Sequence, residues 1–141
     1  MTGKKKWADA AAKRGSGGFT AMRHDVLRSV NFRTLTPYST KLLMDLVAQY
    51  RGENNGDLCA AWSLMKTQGW NAPNTLHKAK RELEKRGWIQ VARQGGLNCA
   101  TLYALTFFAI DDCKGKPDIK ATSRPPETWR KYEQLLKADA N

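Results

Sequence analysis

Asn74, Thr75, Lys78 and Arg81 lie close together in the stretch Asn74-Thr75-Leu76-His77-Lys78-Ala79-Lys80-Arg81-Glu82-Leu83-Glu84-Lys85-Arg86-Gly87. All four side chains donate hydrogen bonds, and two carry a permanent positive charge. If Leu76, Ala79 and Leu83 point inward on a helix, these four share its outer face, with His77 on the flank. Such a set reads anions and base edges: Asn pairs with adenine, Lys and Arg with guanine, and Thr with a phosphate or a thymine methyl. His77 serves equally well as a plain surface residue. Glu82, Glu84, Lys85 and Arg86 come later and read as a solvated face, with cations near the negative end of a helix.

Further donors flank the stretch. Lys66 and Asn71 precede it and suit phosphates. Arg93 and Gln94 lead into Gly95-Gly96, with Asn98 just beyond. A glycine pair lets a loop approach a backbone closely, and Arg93 is assigned there to a phosphate or a minor groove. Lys4, Lys5 and Lys6, with Lys13 and Arg14, suit phosphate contacts that carry no sequence information. They serve equally as a solubility tail.

Catalytic constellations are not evident. The chain has no Walker loop, no G-x-S-x-G and no H-E-x-x-H, and Asp111-Asp112 has no histidine partner in sequence. Cys59, Cys99 and Cys113 form no C-x-x-C pair, and with two scattered histidines they outline neither a disulfide framework nor a zinc site. The expectation is a non-enzyme without metal or cofactor.

Charge gives the class of partner. Lys and Arg number 24 against 13 Asp and Glu, a formal net charge of +11. Residues 1–33 hold eight cations against two acids, residues 34–110 nine against five, and residues 111–141 seven against six. An excess in the first two segments points to an anionic polymer or an acidic protein surface. No stretch approaches the ~20 apolar residues of a membrane span. The basic start has no apolar run after it, so it is not a secretory signal. A cytoplasmic location follows, with no membrane partner.

The positioning elements can be read from periodicity. Residues 1–18 read as a disordered basic arm ending in the hinge Gly15-Ser16-Gly17-Gly18. Val26, Leu27 and Val30 mark a short helix. Thr36 caps and Pro37 starts a helix whose buried face comprises Tyr38, Leu42, Leu43, Leu46, Val47 and Tyr50. Asn54-Asn55-Gly56 turns the chain, and Asp57–Cys59 is extended. A helix over Ala60–Gln68 stops at Gly69, and Trp70–Pro73 connects it to the helix of the opening stretch. That helix buries Leu76, Ala79, Lys80 and Leu83 and ends at Gly87. The period then falls to two over Trp88–Arg93 and Thr101–Phe107, two strands joined by a Gly-bearing loop. A last helix runs from Pro126 or Glu127 to Lys137 and buries Trp129, Tyr132 and Leu136. Trp62, Trp70, Trp88, Tyr103 and Phe107 fall mostly at periodic apolar positions, which favours core packing over stacking on bases.

Helix, short strand, helix, tight connection, helix and hairpin is the order of a winged helix-turn-helix domain. Winged-helix regulators carry a recognition helix ending in a leucine, a glycine and an isoleucine at fixed spacing; here Leu83, Gly87 and Ile89 stand there, with Asn74-Thr75 at the start and Lys78-Ala79 between. The chain also resembles small bacterial and phage helix-turn-helix proteins related to replication-protein N-terminal domains, which pair an NNG turn with an RQGG wing. Asn54-Asn55-Gly56 and Arg93-Gln94-Gly95-Gly96 occupy those places. Lys80 departs from the pattern, standing where the family has an apolar residue; its stem would cover the core edge while the ammonium reaches out.

The resemblance covers residues 19–110 and implies an α+β, mostly α fold: a winged helix-turn-helix with a two-stranded wing. It leaves 1–18 as a basic flexible arm and 111–141 as a polar extension with a short C-terminal helix. It implies a double-stranded DNA binder, a transcriptional regulator or replication-associated factor of bacterial or mobile-element origin, acting as monomer or homodimer. The alternative is a protein-binding module, such as a phage protein that inhibits a host nucleic-acid machine through an acidic surface.

Overall fold

A computed structural model describes residues 2–140. Met1 and Asn141, which the expected arm and extension include, lie outside the described residues. The chain is α+β and mostly helical, with a small three-stranded antiparallel sheet. In chain order the elements are α1 (Thr2–Arg14), α2 (His24–Leu27), α3 (Val30–Arg33), α4 (Pro37–Gln49), β1 (Leu58–Cys59), α5 (Trp62–Met65), α6 (Pro73–Lys85), β2 (Ile89–Arg93), β3 (Leu102–Leu105), a single 3-10 turn (Cys113–Gly115) and α7 (Trp129–Asp139).

The first difference from expectation is the arm. Residues Thr2–Arg14 form a helix rather than a disordered chain, because alanine and lysine are among the strongest helix formers. Every residue from Gly3 to Arg14 is exposed. Gly15, at φ +87°, ends the helix.

Between Val26 and Arg33 one expected helix is two single turns. Ser29 makes the break: its hydroxyl donates to Val26 O (2.8 Å) and accepts from the Phe32 amide (3.0 Å), capping α3. α5 is shorter than Ala60–Gln68 for a comparable reason. Thr67 donates its hydroxyl to Leu64 O, Gly69 takes φ +88°, and the chain turns so that Trp70 enters the core. α4 starts as expected, with Thr36 accepting from the Ser39 amide and Pro37 in the first turn. Tyr38 is a correction. It is 59% exposed, because the first turn of α4 projects past the core, and its ring lies 6.0 Å from that of Trp70.

β1 joins the sheet outside β3, giving the order β1-β3-β2. Its outer edge is closed by one side chain: the Gln49 amide donates to Cys59 O (2.7 Å) and accepts from Cys59 N (2.9 Å). That substitutes for a neighbouring strand. The turn before β1 hangs on Asn55, whose side chain is fully buried. Its Nδ2 donates to Leu105 O (2.9 Å), Ala109 O (2.9 Å) and Phe108 O (3.2 Å), and its Oδ1 accepts from the Leu105 amide (2.7 Å).

α4 and α6 pack on one another through Leu42, Leu43, Leu46, Leu76, Ala79 and Leu83, all buried. Trp88 anchors the other side of the core. It stacks on Trp129 with centroids 5.0 Å apart and planes 6° apart, and meets Phe32 and Phe107 edge-on. Of the C-terminal helix, Trp129 is buried and Tyr132 and Leu136 are half-buried. Buried Asn31 ties three segments together: it accepts from Trp88 Nε1 (2.9 Å) and donates to Arg86 O (3.0 Å) and Trp129 O (2.9 Å). Trp70, Tyr103 and Phe107 are buried and Trp62 is half-buried, so these rings belong to the core.

An ionic cluster holds the same junction from outside. Arg23 donates to Asp25 and Glu127, and Arg130 donates to both acids in turn. The hydrogen bond from Arg23 holds each carboxyl below the ordinary carboxylate range. A carboxylate pKa lowered by folding adds stability above its unfolded value, near 4, and loses it as pH falls through the lower folded value. Because the cluster is partly exposed, the gain is small, on the order of 1 kcal/mol. Glu127→Gln should therefore flatten the acid limb of urea stability measured between neutral pH and pH 3; an unchanged limb would remove the cluster from the acid response.

Candidate nucleic-acid interface

α6 places the predicted contact residues. Pro73 opens it, and the buried stripe Leu76, Ala79 and Leu83 fixes its rotation against α4. With about 3.6 residues per turn, Asn74, Lys78, Arg81 and Lys85 then fall on one outward ridge, and all four are exposed. Among the described residues, Lys78, Arg81 and Lys85 pair with no carboxylate. His77 is exposed on the flank, and Thr75 is half-buried on the other side.

Each flank of the ridge is fixed by chemistry. Towards α4, Glu82 accepts from the Thr36 amide (3.0 Å) and hydroxyl (3.1 Å). Partial burial pushes its pKa up, but hydrogen bonding with the Ser39 hydroxyl and with Thr36, together with the Arg86 charge, outweighs it and lowers the pKa. Towards the sheet lies Lys80, half-buried, its pKa lowered by desolvation. Buried Tyr103 has its phenol pushed up to about 12, first by burial and then by the neighbouring Glu84 carboxylate.

Two cavities border the ridge. One of about 340 Å³ is lined by Thr36, Tyr38, Thr75, Lys78, Ala79 and Glu82. The other, about 350 Å³, is lined by Arg81, Glu82, Lys85, Arg86 and Tyr132. From the sequence, Tyr38 and Tyr132 belong to the core and Lys85 to a solvated helix face. The signal for Lys85 was present, since it stands four residues after Arg81 and seven after Lys78. Tyr38 and Tyr132 read as apolar-face residues, and only the ends of their helices reveal otherwise.

The connection from α5 to α6 carries Lys66 and Asn71, both exposed. It is clamped from behind: Lys41 Nζ donates to Gln68 O (2.8 Å) and Asp45 (2.9 Å), and Trp70 Nε1 donates to Asp45 (2.8 Å). α6 is thereby fixed at its start as well as along its buried stripe.

In the hairpin loop, Gln94 and Asn98 are exposed, with Asn98 at φ +58°. Arg93 is not free in the same way. It is half-buried and its Nη2 donates to Ala100 O (3.3 Å), across the base of its own loop. Gly95 has a different duty from the one its sequence suggested. A Cβ there would sit 2.5 Å from Cys99 O and Thr101 N, so the close approach it permits is within the hairpin. Gly96 faces open space, and Leu97 at the tip is 94% exposed. Lys4, Lys5 and Lys6 are exposed on α1. No helix among the described residues is long and apolar enough to cross a membrane. Comparison with family models, with curated proteins and with solved structures gave no match.

Proposed function

We propose that the chain is a winged helix-turn-helix protein that binds double-stranded DNA, with α6 as the recognition helix and the β2–β3 hairpin as its wing. Its role is that of a transcriptional regulator or replication-associated factor. The observation that carries the reading is the outward ridge of Asn74, Lys78, Arg81 and Lys85, whose cations have no carboxylate partner among the described residues. A helix about 10–12 Å across with its side chains fits a major groove about 12 Å wide. α6 also begins without a side-chain cap, which leaves the positive end of its dipole without a side-chain acceptor.

Asn74 reads a base edge in this arrangement, Lys78 reads a guanine or a phosphate, Thr75, Lys66 and Asn71 take phosphates, and Arg81 and Lys85 add charge further along the ridge. Gln94, Leu97 and Asn98 present the loop, while Arg93 shapes it. Helical α1 adds Lys4, Lys5 and Lys6 as backbone contacts.

Fluorescence anisotropy with a random-sequence duplex over a salt series tests the reading. The wild type should bind at low salt, with log K falling by about 0.9 per log unit of salt for each phosphate neutralised. The Lys78→Ala/Arg81→Ala variant should lose about two units of that slope and on the order of a hundredfold in affinity. Absence of duplex binding by a folded sample would reject the proposal and favour an acidic protein surface as the partner of the same ridge.

A further inference from the structure

The groove where the second half of α6 meets α7 shares Arg81 and Lys85 with the ridge and adds walls of its own. Arg81, Glu82, Lys85, Arg86 and Tyr132 line it. Glu82 is already engaged, accepting from Thr36 and standing 3.8 Å from Arg86 Nε. Arg86 is held in place: it donates to Thr34 Oγ1 (2.7 Å) and Asn31 O (3.2 Å), and its guanidinium lies 5.1 Å from the centre of the Tyr132 ring. Arg81 and Lys85, by contrast, are exposed and pair with no carboxylate among the described residues.

The two walls do not drift. The Asn31 side chain bridges Arg86 O and Trp129 O, so the end of α6 and the start of α7 are joined through one buried amide. Glu133, one residue beyond Tyr132, accepts from the amides of Val30 (3.1 Å) and Asn31 (2.7 Å). Cations at a helix C-terminus are favourable without any ligand. That effect accounts for Lys85 and Arg86 but not for the convergence of Arg81, Lys85 and a tyrosine from another helix on one cavity of about 350 Å³.

We propose that this groove is a phosphoryl-binding pocket. It seats one phosphate group, with Arg81 and Lys85 as charged donors, the Tyr132 hydroxyl as a third donor, and Arg86 as a fixed positive wall. Charge-assisted bonds to phosphate are the strong kind, and a site whose walls are already fixed spends little on ordering. The site holds whether or not duplex DNA is the partner, since a nucleic-acid backbone and a small phosphorylated molecule offer the same group.

The test uses the full chain. Sodium phosphate is titrated against sodium chloride at matched ionic strength, and backbone amides and arginine Nε–H groups are followed by NMR. Saturable shifts concentrated at Arg81, Lys85, Arg86 and Tyr132 are expected, with affinity falling about tenfold in Lys85→Gln/Tyr132→Phe. That variant keeps the aromatic ring and the helix-forming backbone, so the fold is retained. Shifts that fail to saturate, that spread equally to Lys78 and Lys4–Lys6, or that the variant leaves unchanged would overturn the proposal. In a second arm the phosphate titration is repeated on wild type with the random-sequence duplex bound. Loss of the saturable shifts at Arg81, Lys85, Arg86 and Tyr132 assigns the pocket to a nucleic-acid backbone; their persistence assigns it to a small phosphorylated molecule.

Discussion

Asn55→Ala is expected to lose about 3–5 kcal/mol of unfolding free energy, because it strands several buried backbone groups at once. The side chain has no exposure, and it serves the carbonyls of Leu105, Phe108 and Ala109 together with the amide of Leu105. Alanine supplies none of those bonds and leaves a void too enclosed for ready solvation. The damage should stay local, since Asn55 holds the turn before β1 to the exit of β3, whereas α4 and α6 are packed elsewhere. Urea denaturation should show a lowered midpoint with an unchanged slope, and near-UV circular dichroism of the surviving native state should keep the Trp88–Trp129 signal. A loss below 1 kcal/mol would mean that water reaches those carbonyls, and that Asn55 is not the tie described.

The second large effect is at Gly87. The residue takes φ +82°, and a Cβ would lie 2.7 Å from Thr128 O, 2.8 Å from Thr128 C and 2.9 Å from Trp129 N. Those are backbone atoms, with no flexible side-chain end to give way. Gly87→Ala therefore combines the left-handed penalty of about 1–2 kcal/mol with displacement of α7, for a total on the order of 4 kcal/mol. Gly52→Ala is the matching control. Gly52 has φ +95° but nothing within 4 Å of a Cβ, so it should lose only about 1 kcal/mol. Thermal unfolding of the pair separates backbone conformation from close approach. Equal losses would show that the contact with Thr128 costs nothing. The Gly87 variant should also lose part of the tryptophan signal in the near ultraviolet, because α7 carries Trp129 away from Trp88.

What was legible in the chain follows from periodicity and capping. α4 and α6 could be read almost to the residue because Thr36-Pro37, Pro73 and Gly87 mark their ends and each has one apolar stripe. The alternation around Val91 and Leu105 gave the hairpin for the same reason. Three things were not legible. One hydroxyl, Ser29, splits a helix that apolar spacing alone would continue. The pairing of two-residue β1 with β3 depends on Asn55 and Gln49, long-range hydrogen bonds that leave no local pattern. The third is how the guanidinium of Arg93 lies: its residue type suited a phosphate, while the turn geometry around Gly95 brings Ala100 O within its reach. At the candidate site, the outward residues of α6 could be named because burial of Leu76, Ala79 and Leu83 fixes the rotation. Tyr132 could not, because its partner Arg86 is distant in sequence and the two helices meet through long-range contacts such as the Asn31 bridge and the Trp88–Trp129 stack.

That bridge also constrains when the protein can fold during synthesis. Asn31 emerges before Trp88, and Trp129 about a hundred residues after Asn31, yet one buried amide and one stacked ring pair need all three. At roughly 5–20 residues per second, many seconds pass before the last partner leaves the ribosome. Until then Trp88 lacks its stacking face, and the exit of α6 lacks the carbonyl that Asn31 also holds. A nascent chain stalled before Trp129 should therefore be digested readily by protease, and the same chain extended past α7 should resist it. Closure of this junction waits for α7, so the exit of α6 is tied down later than the stripe that packs on α4.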